Sequence, residues 1–145
     1  MALALALFAL AVIGAMVAMS FCSALVEQQG GRNLILVTEA SEAAEGGIRE
    51  AMAELPADLL TELTAGGPAL TMDSLTSRPG LVVERQVLRL ADNLYLLQCR
   101  AGWKDGSGVE SAAKSVGLLA RLATDSTSGT RSLFPIERRP WLQLY

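Results

Sequence analysis

The sequence predicts an α+β fold: a long N-terminal α-helix, one half fit for a membrane and the other amphipathic, packed on a small antiparallel β-meander. Three observations carry that expectation. Residues 1–26 hold no acidic or basic side chain, and the first charge is Glu27. From Leu34 to Ala51 apolar residues return every three or four positions, the period of one helix face. Beyond Pro79, three runs of strand-like residues are separated by short polar breaks, the pattern of half-buried strands.

The totals narrow the function classes. A chain of 145 residues has room for about one domain. The apolar start leaves roughly 90 to 115 residues to fold in water. The organisation read from the chain is 1–27 for the membrane-compatible helix, 28–54 for its amphipathic continuation, 55–80 for a short helix and a connecting loop, and 81–145 for a sheet-bearing head with a C-terminal tail. A net charge of -3 without a lysine or arginine block argues against direct nucleic-acid binding. There is no histidine, which removes Ser-His-Asp and Cys-His nucleophiles, His-ligated metals and imidazole switches together. No catalytic residue, metal ligand or cofactor site is expected. Two cysteines, Cys22 and Cys99, are too few for a disulfide framework. A bridge between them is disfavoured, because a residue at lipid depth does not sit within ~7 Å of a strand in a head domain.

The apolar start is read as a spanning segment. At 1.5 Å per residue, 26 helical residues reach about 39 Å, more than the ~30 Å hydrocarbon core of a bilayer. A cleaved secretory signal shows a basic start and a shorter apolar core, and a lipoprotein signal places small residues before its cysteine, where this chain has Phe21. A spanning helix is normally oriented by cytoplasmic lysine or arginine. The expectation is that a short basic leader precedes Met1 in the precursor and is removed on the cytoplasmic side, leaving Met1 as a mature first residue.

The helix is expected to continue past the membrane. Leu34, Val37, Ala40, Ala44, Ile48 and Ala51 form one apolar stripe. Glu39, Glu42, Glu45, Arg49 and Glu50 fall mainly on the other face, and Glu45 with Arg49 makes a favourable i, i+4 pair. A helix running to Glu54 would be about 80 Å long, so its excess length must meet lipid or other chains. Gly14 suits either a bend or close helix packing. Gly30 and Gly31 each cost about 1 kcal/mol in a helix and mark a candidate break.

The long apolar helix followed by "EQQGGRN" and "AAEGGIR" resembles the type IV pilin and pseudopilin superfamily, closest to minor-pilin-like members with an "E-(x)3-GN … AAEAGLR" pattern. The likeness covers about residues 1–54. It implies a pilin-like fold and cleavage by a prepilin peptidase after a glycine, with N-methylation of the new first residue, here Met1. It further implies helices bundled as the core of a filament raised by an inner-membrane assembly platform. Leu5 departs from the pattern: most members carry a glutamate there that neutralises a neighbour's terminal amine. Tip-type pseudopilins lack it, which gives weight to a minor or initiating subunit, and a filament made of several subunit types is also allowed.

The rest of the chain is read element by element. In "LPADLLTELTAGG", Pro56 suits a first helical turn, Leu59, Leu60 and Leu63 share a side, and Gly66 and Gly67 stop a short helix. Residues from there to Pro79 are read as a loop. "LVVERQVLRL", "NLYLLQCRAGW" and "VESAAKSVGLLARL" are strands, with Leu97, Cys99 and Ala101, then Val116, Leu118 and Ala120, on the covered face. "WKDGSGVE" is read as a turn rather than a calcium loop, because Asp-Gly is a strong turn signal and the spacing of calcium ligands is absent. Glu84, Arg85, Arg121 and Asp125 are read as solvated charges. The tail is expected to cover its own sheet edge; the alternative is an apolar patch seeking a neighbour.

The function expected from this reading is a non-catalytic structural subunit of a type IV pilus-like filament or secretion pseudopilus. Its partners would be copies of itself or other pilin subunits, the peptidase and platform, and membrane lipid before assembly. It would start in the inner membrane and end in a periplasmic or extracellular filament. Leu5, Phe8, Gly14, Phe21 and Cys22 are candidate filament-core or membrane positions. Arg32, Phe134, Arg138, Arg139, Trp141 and Tyr145 are candidate inter-subunit contacts. The rival is a single-pass membrane-anchored scaffold or sensor that does not polymerise.

Overall fold

The computed structural model describes residues 1–126, 129–138 and 140–144, without the side chains of residues 76 and 77. It contains helices α1 (Ala2–Glu54) and α2 (Ala57–Glu62). Six strands follow: β1 (Leu70–Arg78), β2 (Leu81–Ala91), β3 (Leu94–Lys104), β4 (Glu110–Thr124), β5 (Arg131–Pro135) and β6 (Trp141–Leu144). The chain divides into two units, Met1–Ile35 and Leu36–Tyr145. The first is helix alone. The second is an α+β head in which residues 36–54 of α1 and all of α2 pack on an antiparallel sheet.

The head is built on a stripe of small residues. Ala40, Ala44, Gly47, Ile48 and Ala51 of α1 are buried, spaced as one helix face requires. They meet Val83, Val87, Tyr95, Leu97, Cys99, Ala101, Val116, Leu118, Ala120 and Leu122 from β2, β3 and β4. Leu34 and Val37 stand on the expected stripe but remain exposed. Gly47 sets the separation of helix and sheet: a Cβ built there would lie 2.8 Å from Cys99 Sγ and 2.9 Å from Val83 Cγ1. A side chain at that crossing would have to displace Cys99 or Val83, which accounts for a glycine inside a helix at a cost of about 1 kcal/mol.

The sheet is a meander in the order β1-β2-β3-β4-β5, with β6 also pairing with β4. Pro79 and Gly80 turn β1 into β2, and Gly80 has φ +88, the left-handed position that a Pro-Gly turn assigns to glycine. The segment expected to be a loop before Pro79 is instead β1, and its phase explains the discrepancy. Leu70 pairs with Val87 and Met72 with Arg85, but a register shift follows before Leu75 pairs with Val83. A bulge of this kind adds a residue and moves the apolar positions off strict alternation, so the strand does not read as one.

At the other edge the tail behaves as expected. β5 pairs with residues 120–124 of β4, and β6 with residues 115–118. Leu119 joins the two halves: its N–H donates to Pro140 O at 2.8 Å and its carbonyl accepts from Ile136 N at 3.1 Å. One long strand is thus closed by two short ones, which leaves fewer unpaired edge groups.

α2 covers the end of the sheet through Leu60, which is fully buried; Leu63 is half-buried, and Leu59 stays exposed. Its carbonyls are held from the sheet. The Tyr95 hydroxyl donates to Leu60 O at 2.9 Å, and Arg89 Nη1 donates to Thr61 O at 2.9 Å and Leu63 O at 2.8 Å. Arg89 Nη2 also reaches Asp92 O at 2.7 Å in the β2–β3 turn. A guanidinium at a helix C-terminus satisfies the carbonyls that the helix cannot.

Candidate functional site

The most distinctive surface of the molecule is residues 1–35. Every one of them is exposed, and Met1, Leu5, Phe8 and Phe21 present their side chains to the surroundings on all sides of α1. This helix is long and apolar enough to cross a membrane by length and composition. A helix that is apolar all round requires lipid or other protein. Ser20 turns its hydroxyl back to Met16 O at 3.0 Å, which removes the hydroxyl's need for water. Gly14 has nothing within 4 Å of where a Cβ would stand, and Cys22 is a free, exposed thiol.

The candidate break at Gly30 and Gly31 is corrected: α1 passes through both without interruption. Glycine lowers helix stability but keeps its N–H donor, unlike proline, and two glycines inside a long helix leave the hydrogen-bond ladder intact. Arg32 is exposed on the same stretch.

In the tail, Phe134 and Trp141 are each 42% exposed and Arg138 is exposed. Arg139 and Tyr145 lie outside the described residues. Phe134 sits opposite Arg121 in the β4–β5 register, so an aromatic ring and an exposed guanidinium share one corner. Trp141 pairs with Leu118 on β6.

The charges of the head are unequal in role. Arg85 is not solvated, as its sequence context suggested, but buried at 4% exposure. Its place on the inner face of β2, between Val83 and Val87, points it under α1. There Nη1 donates to Glu54 Oε2 at 2.8 Å and Nη2 to Asp73 O at 3.3 Å. A buried guanidinium needs such partners to offset desolvation. Glu84 is half-exposed, 4.0 Å from Lys104 Nζ on the outer face. Arg100 Nη2 reaches both carboxylate oxygens of Glu110 at 2.9 and 2.8 Å. On α1, the Glu45–Arg49 pair forms at 3.4 Å and Glu39 meets Arg78 at 3.5 Å; both are exposed, where such pairs contribute little.

Cys99 is a free thiol under Gly47. Burial pushes it up to about 11, against the lowering pull of Arg85, with Glu50 adding to the rise. A thiol held that far above neutrality is unreactive as a nucleophile. The β3–β4 connection is a turn: Asp105 Oδ1 accepts from Ser107 Oγ at 2.6 Å, Ser107 N at 2.9 Å and Val109 N at 2.9 Å. The Ser107 hydroxyl foremost holds this carboxyl below its ordinary 3.8. Among the described residues no group of three or more Cys, Asp and Glu side chains is arranged to hold a metal ion.

A groove runs between α1 and the β1–β2 hairpin, lined by Glu42, Ala43, Gly46, Glu50, Leu75 and Val83. Sequence reading found its carboxylates as one face of a helix but not the hollow beside them. The hollow depends on β1, whose bulge concealed it. Arg89 and Gly47 were likewise unmarked, although "GG" beside a small-residue stripe is a signal of close backbone approach. Comparison with known protein families, with curated proteins and with solved structures finds no match to this chain.

Proposed function

We propose that this protein is a structural subunit of a type IV pilus-like or pseudopilus filament, in which residues 1–35 pack with neighbouring helices and the head forms the outer layer. The observation that carries the reading is the junction within α1. An apolar stretch exposed on every side continues as one helix into a stripe that is buried against the subunit's own sheet. Such a stretch cannot be left in water, and a bilayer and a bundle of like helices both satisfy it. A subunit that moves from membrane to filament exchanges one apolar environment for the other. In the head, the buried guanidinium of Arg85 pairs with the half-exposed Glu54 and holds α1 to the sheet.

The reading is tested by cryo-EM of surface filaments together with mass spectrometry of the N-terminus. It expects this chain in a filament or at its tip, and a methylated Met1. Absence from every filament and tip would sink it. Leu5 favours a second reading, a single-pass membrane-anchored scaffold, because an aliphatic side chain there leaves a neighbour's amine without a counter-charge. In that case the chain stays in the membrane fraction and Met1 carries no methyl group.

A further inference from the structure

Gly46 has no explanation inside its own fold. Its neighbour Gly47 is required by contact with Cys99 and Val83, but a Cβ at Gly46 would meet nothing within 4 Å. A glycine in a helix interior costs about 1 kcal/mol relative to alanine, and here the fold gains nothing in exchange. Gly46 lies in the groove between α1 and the β1–β2 hairpin, over a floor that includes Ala43, Leu75 and Val83. Glu42 and Glu50 stand at its sides, both exposed, and among the described residues neither forms an ion pair. The groove thus offers an apolar floor and two carboxylates without an ion-pair partner among the described residues.

The complementary features occur on the same chain. Phe134 projects from β5 beside Arg121, with Arg138 shortly after it, and all three are exposed. Among the described residues neither arginine forms an ion pair. The sheet order separates the two features: the groove lies at the β1 edge and Phe134 at the β5 edge, so one chain cannot bring its own corner to its own groove.

We propose that the groove floored by Ala43, Gly46, Leu75 and Val83 receives the Phe134 corner of a second copy of this chain, with Arg121 and Arg138 against Glu42 and Glu50. Two different patches make a head-to-tail contact, which leaves one groove and one corner free at the ends and extends by repetition wherever the rotation does not close a ring. A buried aromatic flanked by paired charges at a rim is the composition of an interface centre. The proposal deepens the filament reading by naming the head contact, but the contact itself needs only two copies side by side.

The test uses the full chain in membranes. A photoreactive phenylalanine analogue replaces Phe134 in a tagged copy, an untagged copy is co-expressed, and the cross-linked peptide is mapped. The expected product joins position 134 to the segment 42–50 or to Leu75 of the other copy. Gly46→Leu in the acceptor fills the groove where its own fold has space, so the head's melting temperature is kept while the cross-link falls by roughly tenfold or more. The pair Glu42→Arg and Glu50→Arg does the same, and Arg121→Glu with Arg138→Glu in the donor restores it to within about threefold. Cross-links from 134 to 134, to other surfaces, or unaffected by Gly46→Leu overturn the proposal. Filaments that contain the chain but lack this cross-link retain the filament reading and discard the groove. Cross-linked pairs in cells that form no filament do the reverse.

Discussion

The two parts of α1 solve opposite problems with similar residues. Residues 1–35 are rich in alanine and leucine and bury none of them, whereas residues 36–54 carry five glutamates and bury Ala40, Ala44, Ile48 and Ala51. Hydrophobicity therefore does not predict which part of this helix is covered by its own chain. Spacing does: the second part confines its apolar residues to one face and can be covered by one sheet, while the first spreads them around the axis. The glycines make the same point. Gly30 and Gly31 stand in open space, whereas Gly47 is required by a sulfur 2.8 Å from where a Cβ would be.

Leucine-to-alanine changes in the two units sharpen this contrast most. Leu97→Ala, at a position 1% exposed in the head, should lower stability by about 2 to 5 kcal/mol in denaturant melts. Leu10→Ala, 66% exposed, should change the same melt by less than about 0.5 kcal/mol. A large effect at Leu10 would mean that the first unit is covered by its own chain.

A charge reverses the ranking. Ile13→Arg should leave the head's melt unaltered, yet cost about 2.5 to 3.5 kcal/mol of membrane insertion, cutting the membrane-integrated fraction by on the order of a hundredfold as read by carbonate extraction. Retained integration would show that the segment does not sit at lipid depth.

Glycine-to-alanine changes have opposite signs in the two parts. Gly47→Ala gains helix propensity but drives a methyl group into Cys99 and Val83, for a net loss of about 1 to 2 kcal/mol. Gly31→Ala should raise helix stability by up to about 1 kcal/mol, seen as slower amide exchange there, with no change in the head.

The smallest effect lies in the β3–β4 turn. Asp105 has a folded pKa below its ordinary 3.8, so its contribution is present above that pH and is lost as pH falls through the depressed folded value. Ser107→Ala removes the leading cause and should move the Asp105 titration upward in a carboxyl NMR titration, while the carboxyl stays ionised at neutral pH.

Much of the fold was legible because Tyr95, Leu97, Cys99 and Ala101 of β3 and Val116, Leu118, Ala120 and Leu122 of β4 are buried at alternate positions, and because α1 keeps its period to Ala51. β1 was hidden by its bulge and by the polar residues of an edge strand. Arg85 was hidden for another reason: a charge flanked by apolar neighbours at i−2 and i+2 reads equally as an outward residue on a short strand or an inward one. Its direction is set by Glu54, thirty-one residues away in the chain and 2.8 Å away in space. The groove required β1 and α1 together, so no single stretch of sequence announces it. The apolar character of residues 1–35 was plain throughout, but composition suits lipid and helix bundle alike.

Cys99 lies directly beneath Gly47 with its thiol raised to about 11. A water-soluble thiol reagent at neutral pH can reach that sulfur only after α1 lifts or the strands part, so its modification rate times the opening of the core. The chain thus carries its own stopwatch at the point where helix and sheet come closest. Any neighbour that clamps the head, in a bilayer or in a polymer, would register as a slower tick.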